Sequence, residues 1–309
     1  MTLQQLRYIV TIDEYRHFGK AAEACGLTQS TLSLMVKKLE EELDVILFNR
    51  DSHPVVPTEI GRKIIDKAKV VLYNAGQIRE MTRSEKDVLS GPLRIALIST
   101  VAPILVPGLF KYLGTHHPAV DLQTQEMLSG TIFDRLRKAE VDIGILPSNT
   151  HHDPDLLEIP LWTEHFYAYI SETDPLSAME RIPAEYLTNR PVWMMKDGVR
   201  LMEIRSIPLT GHDNYERYFE GGRIGTLIQI VNENGGLTVI PETHVGMVLY
   251  SHQKNLRPIV SPELQRTISL LIRKDYIHEA LLNVVVDAVK SIIPGHLLED
   301  VIRKGPLTL

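Results

Sequence analysis

Small polar and basic side chains recur at helical spacing between residues 28 and 38, and such groups can hydrogen-bond base edges and neutralise phosphate. Ser30, Ser33 and Lys37 stand three and four residues apart, so a helix would place them on one face. Thr28 precedes them as a natural N-cap. We therefore expect an exposed helical face that can enter the major groove of a duplex. Its candidate contact residues are Gln29, Ser30, Thr31, Ser33, Leu34 and Lys37.

A shorter helix is predicted just before this face. Phe18, Ala21, Ala22 and Cys25 fall at i, i+3, i+4 and i+7, which gives one apolar side, and Gly26 can close the helix. A short helix, a bend and a second helix with small polar groups at its start are typical of a helix-turn-helix. An ordinary helical hairpin would give the same pattern. The residues expected to bury the second helix are Leu32, Met35 or Val36, Leu39 and Leu43.

Residues 43–58 predict two short strands around a polar turn, which together would form a β-wing. The apolar runs are Val45–Phe48 and Val55–Pro57, and the turn is Asn49–His53. Arg50, at the tip, could reach a phosphate or the minor groove. A solvated loop charge is the alternative for Arg50.

A long helix is predicted from Thr58 to about Leu89. Its apolar residues alternate steps of four and three, which is the spacing of a heptad seam. A lone helix of this length cannot bury such a stripe, so we infer a dimer; packing of the helix on its own domain is the alternative. Gly91 and Pro92 end the helix. The predicted seam residues are Ile60, Ile64, Ala68, Val71, Ala75, Ile78 and Thr82.

Beyond Gly91 the pattern alternates strand and helix, which predicts a parallel sheet covered by helices. The rhythm breaks at residues 154–169, where two strand-like runs, Leu156–Leu161 and His165–Ile170, suggest a crossing into a second lobe. The predicted organisation is a winged helix-turn-helix domain over 1–58, a linker and dimerisation helix over 59–90, and a two-lobed α/β effector-binding regulatory domain over 91–309. Lobe I covers about 91–161 and 266–309, and lobe II about 162–265.

Hydroxyl side chains follow two of the predicted strands, where strand ends meet helix starts and a small polar or anionic ligand can bind between the lobes. The alternative is that these hydroxyls only cap helices. Arg200, in the Lys196–Arg200 loop of the other lobe, could bind a carboxylate or phosphate, or form a surface ion pair. The candidate effector residues are Ser99, Thr100, Ser129, Thr131, Gly198, Val199, Arg200 and Thr226.

Composition limits the function classes. The net charge is −6, but the first 90 residues carry 13 basic and 13 acidic side chains, so the excess acid lies in the remainder. A single cysteine, Cys25, excludes an internal disulfide and favours the cytoplasm, and we expect neither a signal peptide nor a membrane span. No histidine spacing predicts a metal site, no motif predicts a cofactor, and catalytic signatures are missing, so an enzyme is not expected.

The N-terminal domain, the long helix and the two-lobed remainder together resemble the LysR-type transcriptional regulators over essentially the full length. The motifs that carry this resemblance are Ala21-Ala22, Leu27-Thr28-Gln29, Thr31-Leu32-Ser33, Leu39-Glu40, Leu47-Phe48-x-Arg50 and Thr58-x-x-Gly61. Within that family the chain is similar to the OxyR, or peroxide-sensor, branch. The features shared with the branch are Arg16-His17-Phe18, Cys25, Ile98-x-Thr100 with Pro103, Met195-x-Asp197-Gly198 and Arg266-Thr267-Ile268.

The resemblance implies a periplasmic-binding-protein-like regulatory domain, a dimer or tetramer, a dyad-symmetric operator and RNA polymerase as a partner. It also implies two redox cysteines, but Arg200 and Leu209 stand at their places. We therefore expect a DNA-binding regulator controlled by a small ligand or another signal that needs no disulfide. The alternatives are a peroxide-responsive regulator with its cysteines replaced, and a solute-binding protein fused to a helical head.

Overall fold

The computed structural model describes residues 1–84, 89–148, 153–187, 192–195, 216–219, 223–261, 264–276 and 278–307. The chain forms two compact units. The first holds Met1–Val88 together with Asp134–Glu140, and the second holds Leu89–Phe133 and Val141–Leu309. Within the described residues, every helix is too short or too polar to span a bilayer.

The first unit contains the predicted winged helix-turn-helix followed by one long helix. The buried apolar residues between Met1 and Ser84 form one cluster that includes Ile9, Leu32, Phe48 and Ile65. In chain order the elements are α1 (Leu3–Tyr15), α2 (Phe18–Ala24), α3 (Gln29–Leu43), β1 (Phe48–Asn49), β2 (Val56–Pro57) and α4 (Glu59–Ser84).

Local capping chemistry sets the helix boundaries in this unit. Thr2 and Gln5 form a reciprocal capping box at the start of α1. Thr28 caps α3, as predicted, because its Oγ1 accepts the Thr31 amide at 3.2 Å. Gly26, in the bend between α2 and α3, has a φ of +68°, a conformation that L side chains rarely adopt.

The wing is shorter than the sequence predicted. The strands pair only Phe48 with Pro57 and Asn49 with Val56, so the predicted strand is right at Phe48 and wrong at Val45–Leu47. The reason is that the Leu47 amide donates to the Glu40 carboxylate at 2.8 Å instead of to a partner strand.

Helix α4 divides its apolar residues between two surfaces. Ala68 belongs to the apolar cluster of its own unit and Ile64 packs against that cluster, so the predicted seam is wrong at these two positions. The nearness of α1 explains this, because α1 and α4 pack against each other. Ile60 and Val71 remain 44% exposed and Ile78 remains 64% exposed, which leaves part of the predicted stripe uncovered.

The second unit is built around one mixed sheet. Among its described residues, four 3₁₀ turns, Pro175–Ala178, Ala184–Leu187, Glu242–Met247 and Tyr250–Asn255, accompany the regular elements. The last four residues of α6 belong to the first unit. The elements are β3 (Gly91–Leu97), α5 (Ala102–His116), β4 (Val120–Glu126), α6 (Ser129–Arg137), β5 (Ile143–Pro147), β6 (Leu156–Ile170), β7 (Ile182–Pro183), β8 (Val192–Met195), β9 (Glu216–Phe219), α7 (Ile224–Asn234), β10 (Leu237–Pro241), β11 (Leu256–Val260), β12 (Gln265–Arg273), α8 (Glu279–Ile292) and α9 (Asp300–Arg303).

The sheet is mixed rather than purely parallel. The main path runs β4-β3-β5-β12-β6-β10-β8-β9, and β11 joins β6 to β7. Strand β3 is parallel to β4 and β5, as predicted, whereas β12 is antiparallel to both β5 and β6. The local alternation of strands and helices gave the parallel part correctly but carried no information on the direction of the returning strand β12.

The two lobes share strand β6, which was predicted as two separate runs. It is one strand of 15 residues with a register shift opposite Ile268/Ser269. Its first part pairs with β12 and its last residues, from Phe166 to Ile170, pair with β10. One strand therefore connects the two halves of the sheet, and the side chains near residues 164–166 lie where the pairing changes.

Candidate nucleic-acid interface and regulatory site

Helix α3 exposes the face that the sequence predicted. Gln29, Ser30 and Lys37 are exposed, Leu34 is 50% exposed, and Ser33 is half-buried. Thr31 has a different local role, because its Oγ1 lies 2.8 Å from the Thr28 Oγ1 within the N-cap. The available donors and acceptors therefore lie at the N-terminal half of α3, where a helix entering the major groove presents its side chains.

Lys37 is held only loosely in the free protein. Its Nζ lies 3.7 Å from a Glu41 carboxylate oxygen, and both side chains are about two-thirds exposed. An exposed pair of this kind contributes little to stability, so Lys37 can exchange Glu41 for a phosphate at small cost.

Arg50 follows β1 but lies against α3. One guanidinium nitrogen is 3.1 Å from the Ser33 Oγ, and the other is 2.7 Å from the Glu40 Oε2. The guanidinium also lies over the Phe18 ring, 5.5 Å from its centroid. Arg50 thus joins the wing to α2 and α3, and its charge is shared with Glu40 rather than held free in solvent.

A cavity of about 470 Å³ opens beside these residues and collects further polar groups. Sequence reasoning predicted three of its lining residues, Gln29, Ser33 and Arg50. It did not predict Arg16 and Lys20 as site residues. Arg16 was named only in the Arg16-His17-Phe18 motif, and Lys20 had no signal beyond a basic charge near a helix start. The other lining residues are Tyr15, His17, Phe18, His53, Pro54 and Val55.

The second unit contains a polar cluster of four buried residues, Thr100, Glu164, His244 and Arg266, and the partly buried Thr243. The Arg266 guanidinium donates to the Glu164 Oε1 at 2.9 Å and to the Thr100 Oγ1 at 3.0 Å. The other Glu164 oxygen accepts the Thr243 amide at 3.1 Å and the Thr243 hydroxyl at 2.6 Å. The cluster therefore joins the loop after β3 to β6, β12 and the turn after β10.

His244 is held neutral inside this cluster. Burial, followed by the positive charge of Arg266, lowers the pKa of His244 to about 4, against a weaker opposing effect of Glu164. Glu164 and Arg266 compensate each other's charge, so the buried cluster has no net charge near neutral pH. The sequence marked Arg266 only as a motif residue at the start of a returning strand, and Glu164 was not predicted. Both strands carry other polar side chains, such as Thr163 and Thr267, so the pair had no distinct local signal.

The predicted effector residues occupy different positions. Thr100 is only 1% exposed and bonds Arg266, while Ser99 is half-buried, and neither caps α5, whose N-cap is Val101 without a side-chain bond. Ser129 begins α6, and Thr131 is exposed two residues later in the same turn. Thr226 is exposed in the first turn of α7. Gly198, Val199 and Arg200 lie outside the described residues.

Over the described part of the chain, histidine, cysteine and acidic side chains form no group of three that could hold a metal ion. Cys25 is a free, half-buried cysteine at the end of α2.

Comparisons with known proteins agree with this architecture. Residues 3–62 match the family model of the bacterial regulatory helix-turn-helix protein, lysR family, and residues 86–292 match the LysR substrate binding domain. A Haemophilus influenzae hydrogen peroxide-inducible genes activator is 30% identical over 302 residues, covering 96% of this chain and 99% of that protein. The Escherichia coli DNA-binding transcriptional dual regulator OxyR is 29% identical over 297 residues, covering 96% of this chain and 97% of that protein.

Solved structures give the same result. Full-length OxyR from Pseudomonas aeruginosa, a single-residue variant, has a TM-score of 0.79 and 30% identity over 97% of this chain and 98% of that chain. A full-length BenM variant, at 21% identity and a TM-score of 0.58, shares the fold. The chain therefore belongs to the LysR family of DNA-binding transcriptional regulators and is OxyR-like.

Proposed function

We propose that α3 reads the operator through Gln29, Ser30 and Ser33 in the major groove while Lys37 contacts phosphate. Leu34 lies on the same helix face, and Thr31, at the start of the helix, is a further candidate contact. The observation that supports this most strongly is the exposed N-terminal half of α3 beside a cavity lined by Arg16, Lys20 and Arg50. Arg50 fixes the wing against α3. Its guanidinium can exchange the hydrogen bond to Ser33 for a hydrogen bond to the DNA.

Substitutions on α3 test this proposal. Lys37→Ala should weaken operator binding for all sequences alike and lower the slope of log affinity against log salt by about one. Ser33→Ala should instead reduce discrimination between operator and mutated operator, because a base contact is worth about 1–3 kcal/mol. Lys274→Ala, at an exposed position of the second unit, is the control. Operator affinity unchanged by both α3 substitutions would remove α3 from the interface.

We infer that two heads pair along α4, and that dimers join into a tetramer. The support is the exposed apolar stripe of Ile60, Val71 and Ile78, which water would otherwise cover at a cost of about 25 cal/mol per Å². Pairing places two copies of α3 on one side of a dyad, as a symmetric operator requires. Ile78→Glu should dissociate the assembly in sedimentation experiments, whereas Glu59→Gln should leave it intact.

We propose that the regulatory domain responds to a small ligand or another signal that needs no disulfide. The support is the single cysteine of the sequence, since a disulfide within one chain needs two thiols. The proposed ligand contacts are Ser99, Thr100, Ser129, Thr131 and Thr226, together with Gly198, Val199 and Arg200. Ligand binding would favour one closure of the lobes and thereby change the angle between paired heads.

Two measurements test this regulatory proposal. Hydrogen peroxide should leave operator affinity unchanged, and Cys25→Ser should behave like the parent protein. Thermal-shift screening of small anions and metabolites should find a ligand whose effect Thr100→Val reduces. A large, reductant-reversible effect of peroxide on operator affinity would contradict the proposal.

The remaining parts of the proposal follow from the family. A regulator of this type works where operator DNA and RNA polymerase are, so we place it in the cytoplasm with RNA polymerase as a partner. We also infer that it regulates transcription without catalysing a reaction or using a cofactor.

A further inference from the structure

A chain of charged side chains runs through the first unit, from the segment Asp134–Glu140 to the α1–α2 turn. The Lys69 Nζ lies 2.8 Å from the Glu140 Oε1 and 3.7 Å from the Asp13 Oδ2. Asp13 in turn lies 2.7 Å from an Arg16 guanidinium nitrogen. We call Glu140, Lys69, Asp13 and Arg16 the relay.

A second pair of charges fixes how the segment meets α4. The Lys138 Nζ lies 3.1 Å from the Asp66 Oδ2, one helical turn before Lys69. An acid and a base on α4 therefore face a base and an acid on the segment, and a shift in register would place like charges together. Arg135 supports this register, because its Nε lies 3.8 Å from Glu140.

The relay is partly shielded from water. The side chains of Lys69, Asp13 and Glu140 are only 20%, 12% and 31% exposed. Burial disfavours the charged amine, but the hydrogen bond and charge of Glu140, with the charges of Asp13 and Asp66, raise the pKa of Lys69 above its ordinary value. Lys69 therefore stays charged, and its interactions are screened less than those of a surface pair.

The far end of the relay lies at the DNA-facing cavity. Arg16 adopts a left-handed conformation, with φ of 52°, as the C-cap of α1. Its carbonyl accepts the Val55 amide of the wing at 3.0 Å, and its side chain lines the cavity with Gln29 and Ser33. A displacement of Asp13 would therefore reach the wing and the α3 face together.

We propose that the relay couples the segment Asp134–Glu140 to the DNA-facing cavity, with Lys69 as a positioning residue that sets operator affinity. The segment lies between Phe133 and Val141, which both belong to the second unit. It is therefore covalently joined to the second unit at both ends, and a movement of Phe133 or Val141 would displace it. This inference rests on the proposed function, because it assumes that the cavity faces operator DNA.

A double-mutant cycle in the full-length protein tests the relay. Without the Glu140 charge, Lys69 interacts more strongly with Asp13 and competes with Arg16 for that carboxylate. Glu140→Gln should therefore weaken operator binding about fivefold or more. Glu140→Asp keeps the charge and should restore most of the affinity. The effects of Glu140→Gln and Lys69→Met should not add in the double variant. Glu59→Gln with Lys63→Met, an exposed pair on the same helix, is the control and should change affinity less than about twofold.

Hydrogen exchange separates coupling from a local structural role. Glu140→Gln should speed amide exchange at residues 15–18 and at Val55, remote from the substituted side chain, while the control pair should not. If the parent protein binds its operator but Glu140→Gln changes neither affinity nor this exchange, the relay is refuted and the proposed function stands. If the parent protein shows no sequence-specific binding, the proposed function fails with it.

Discussion

The Glu40 carboxylate holds the start of the wing against α3: one oxygen accepts the Leu47 amide at 2.8 Å and the other accepts Arg50 at 2.7 Å. We predict that Glu40→Ala destabilises the head by about 1–3 kcal/mol, because a backbone amide and a guanidinium both lose their acceptor. Thermal or urea unfolding measures this. Glu42→Ala, which removes only an exposed pair with the chain terminus, should have a small effect, and equal losses in both variants would contradict the account.

Gly61 leaves no room for a side chain. A Cβ there would lie 2.0 Å from the Leu47 carbonyl oxygen, whereas a Cβ at Gly76 on the same helix would meet nothing within 4 Å. Gly61→Ala should therefore cost about 1–3 kcal/mol or more, and Gly76→Ala should be neutral or stabilise the helix by up to about 1 kcal/mol. Calorimetry should show that Gly61→Ala lowers the melting temperature, whereas Gly76→Ala leaves it unchanged or raises it. Equal changes in melting temperature for the two variants would contradict this packing.

The stability of the second unit should fall in mild acid because of His244. Its pKa of about 4 in the folded protein lies below the ordinary value of 6.5. Between these two pH values His244 is therefore protonated in the unfolded chain but neutral in the folded chain. The contribution of neutral His244 to the free energy of unfolding is complete above pH 6.5 and is lost as the pH falls towards 4. The loss over that range is about 3 kcal/mol. Urea unfolding of wild type and His244→Gln across this range is the measurement. Identical slopes in the two proteins would show that His244 does not titrate as described.

The buried pair of Glu164 and Arg266 should be costly to break from one side. Glu164 is fully buried, and Glu164→Gln would leave the guanidinium with uncompensated charge, at a cost of about 3–5 kcal/mol. Glu172→Gln breaks an ion pair with Lys254 in which both side chains are more than 60% exposed, and should cost under about 1 kcal/mol. Chemical unfolding of both variants gives the comparison, and a cost for Glu164→Gln as small as that of the control would refute it.

Features determined by nearby residues could be predicted from the sequence. The N-cap at Thr28, the capping box at Thr2 and the face of α3 each depend on groups within one or two turns of the chain. The family motifs gave the order of the domains for the same reason, since they are local patterns of residue types.

Features determined by distant pairing could not be predicted in this way. Glu164 meets Arg266 across 102 residues, and Lys69 meets Glu140 across 71, so no local spacing could identify either pair. The heptad pattern of α4 likewise could not reveal that Ala68 is buried in the apolar cluster of its own unit. The single β6 strand depends on β12 and β10, which follow much later in the chain.

We propose that the first unit reads a specific duplex sequence as a symmetric pair. A direct test is to incubate the full-length protein with fragmented genomic DNA of its source organism and to sequence the retained fragments. We predict strong enrichment of a few sites with dyad symmetry, and its loss in the Ser33→Ala, Lys37→Ala double variant. Retained fragments with the same sequence composition as the input pool, or equal enrichment by the double variant, would contradict the claim.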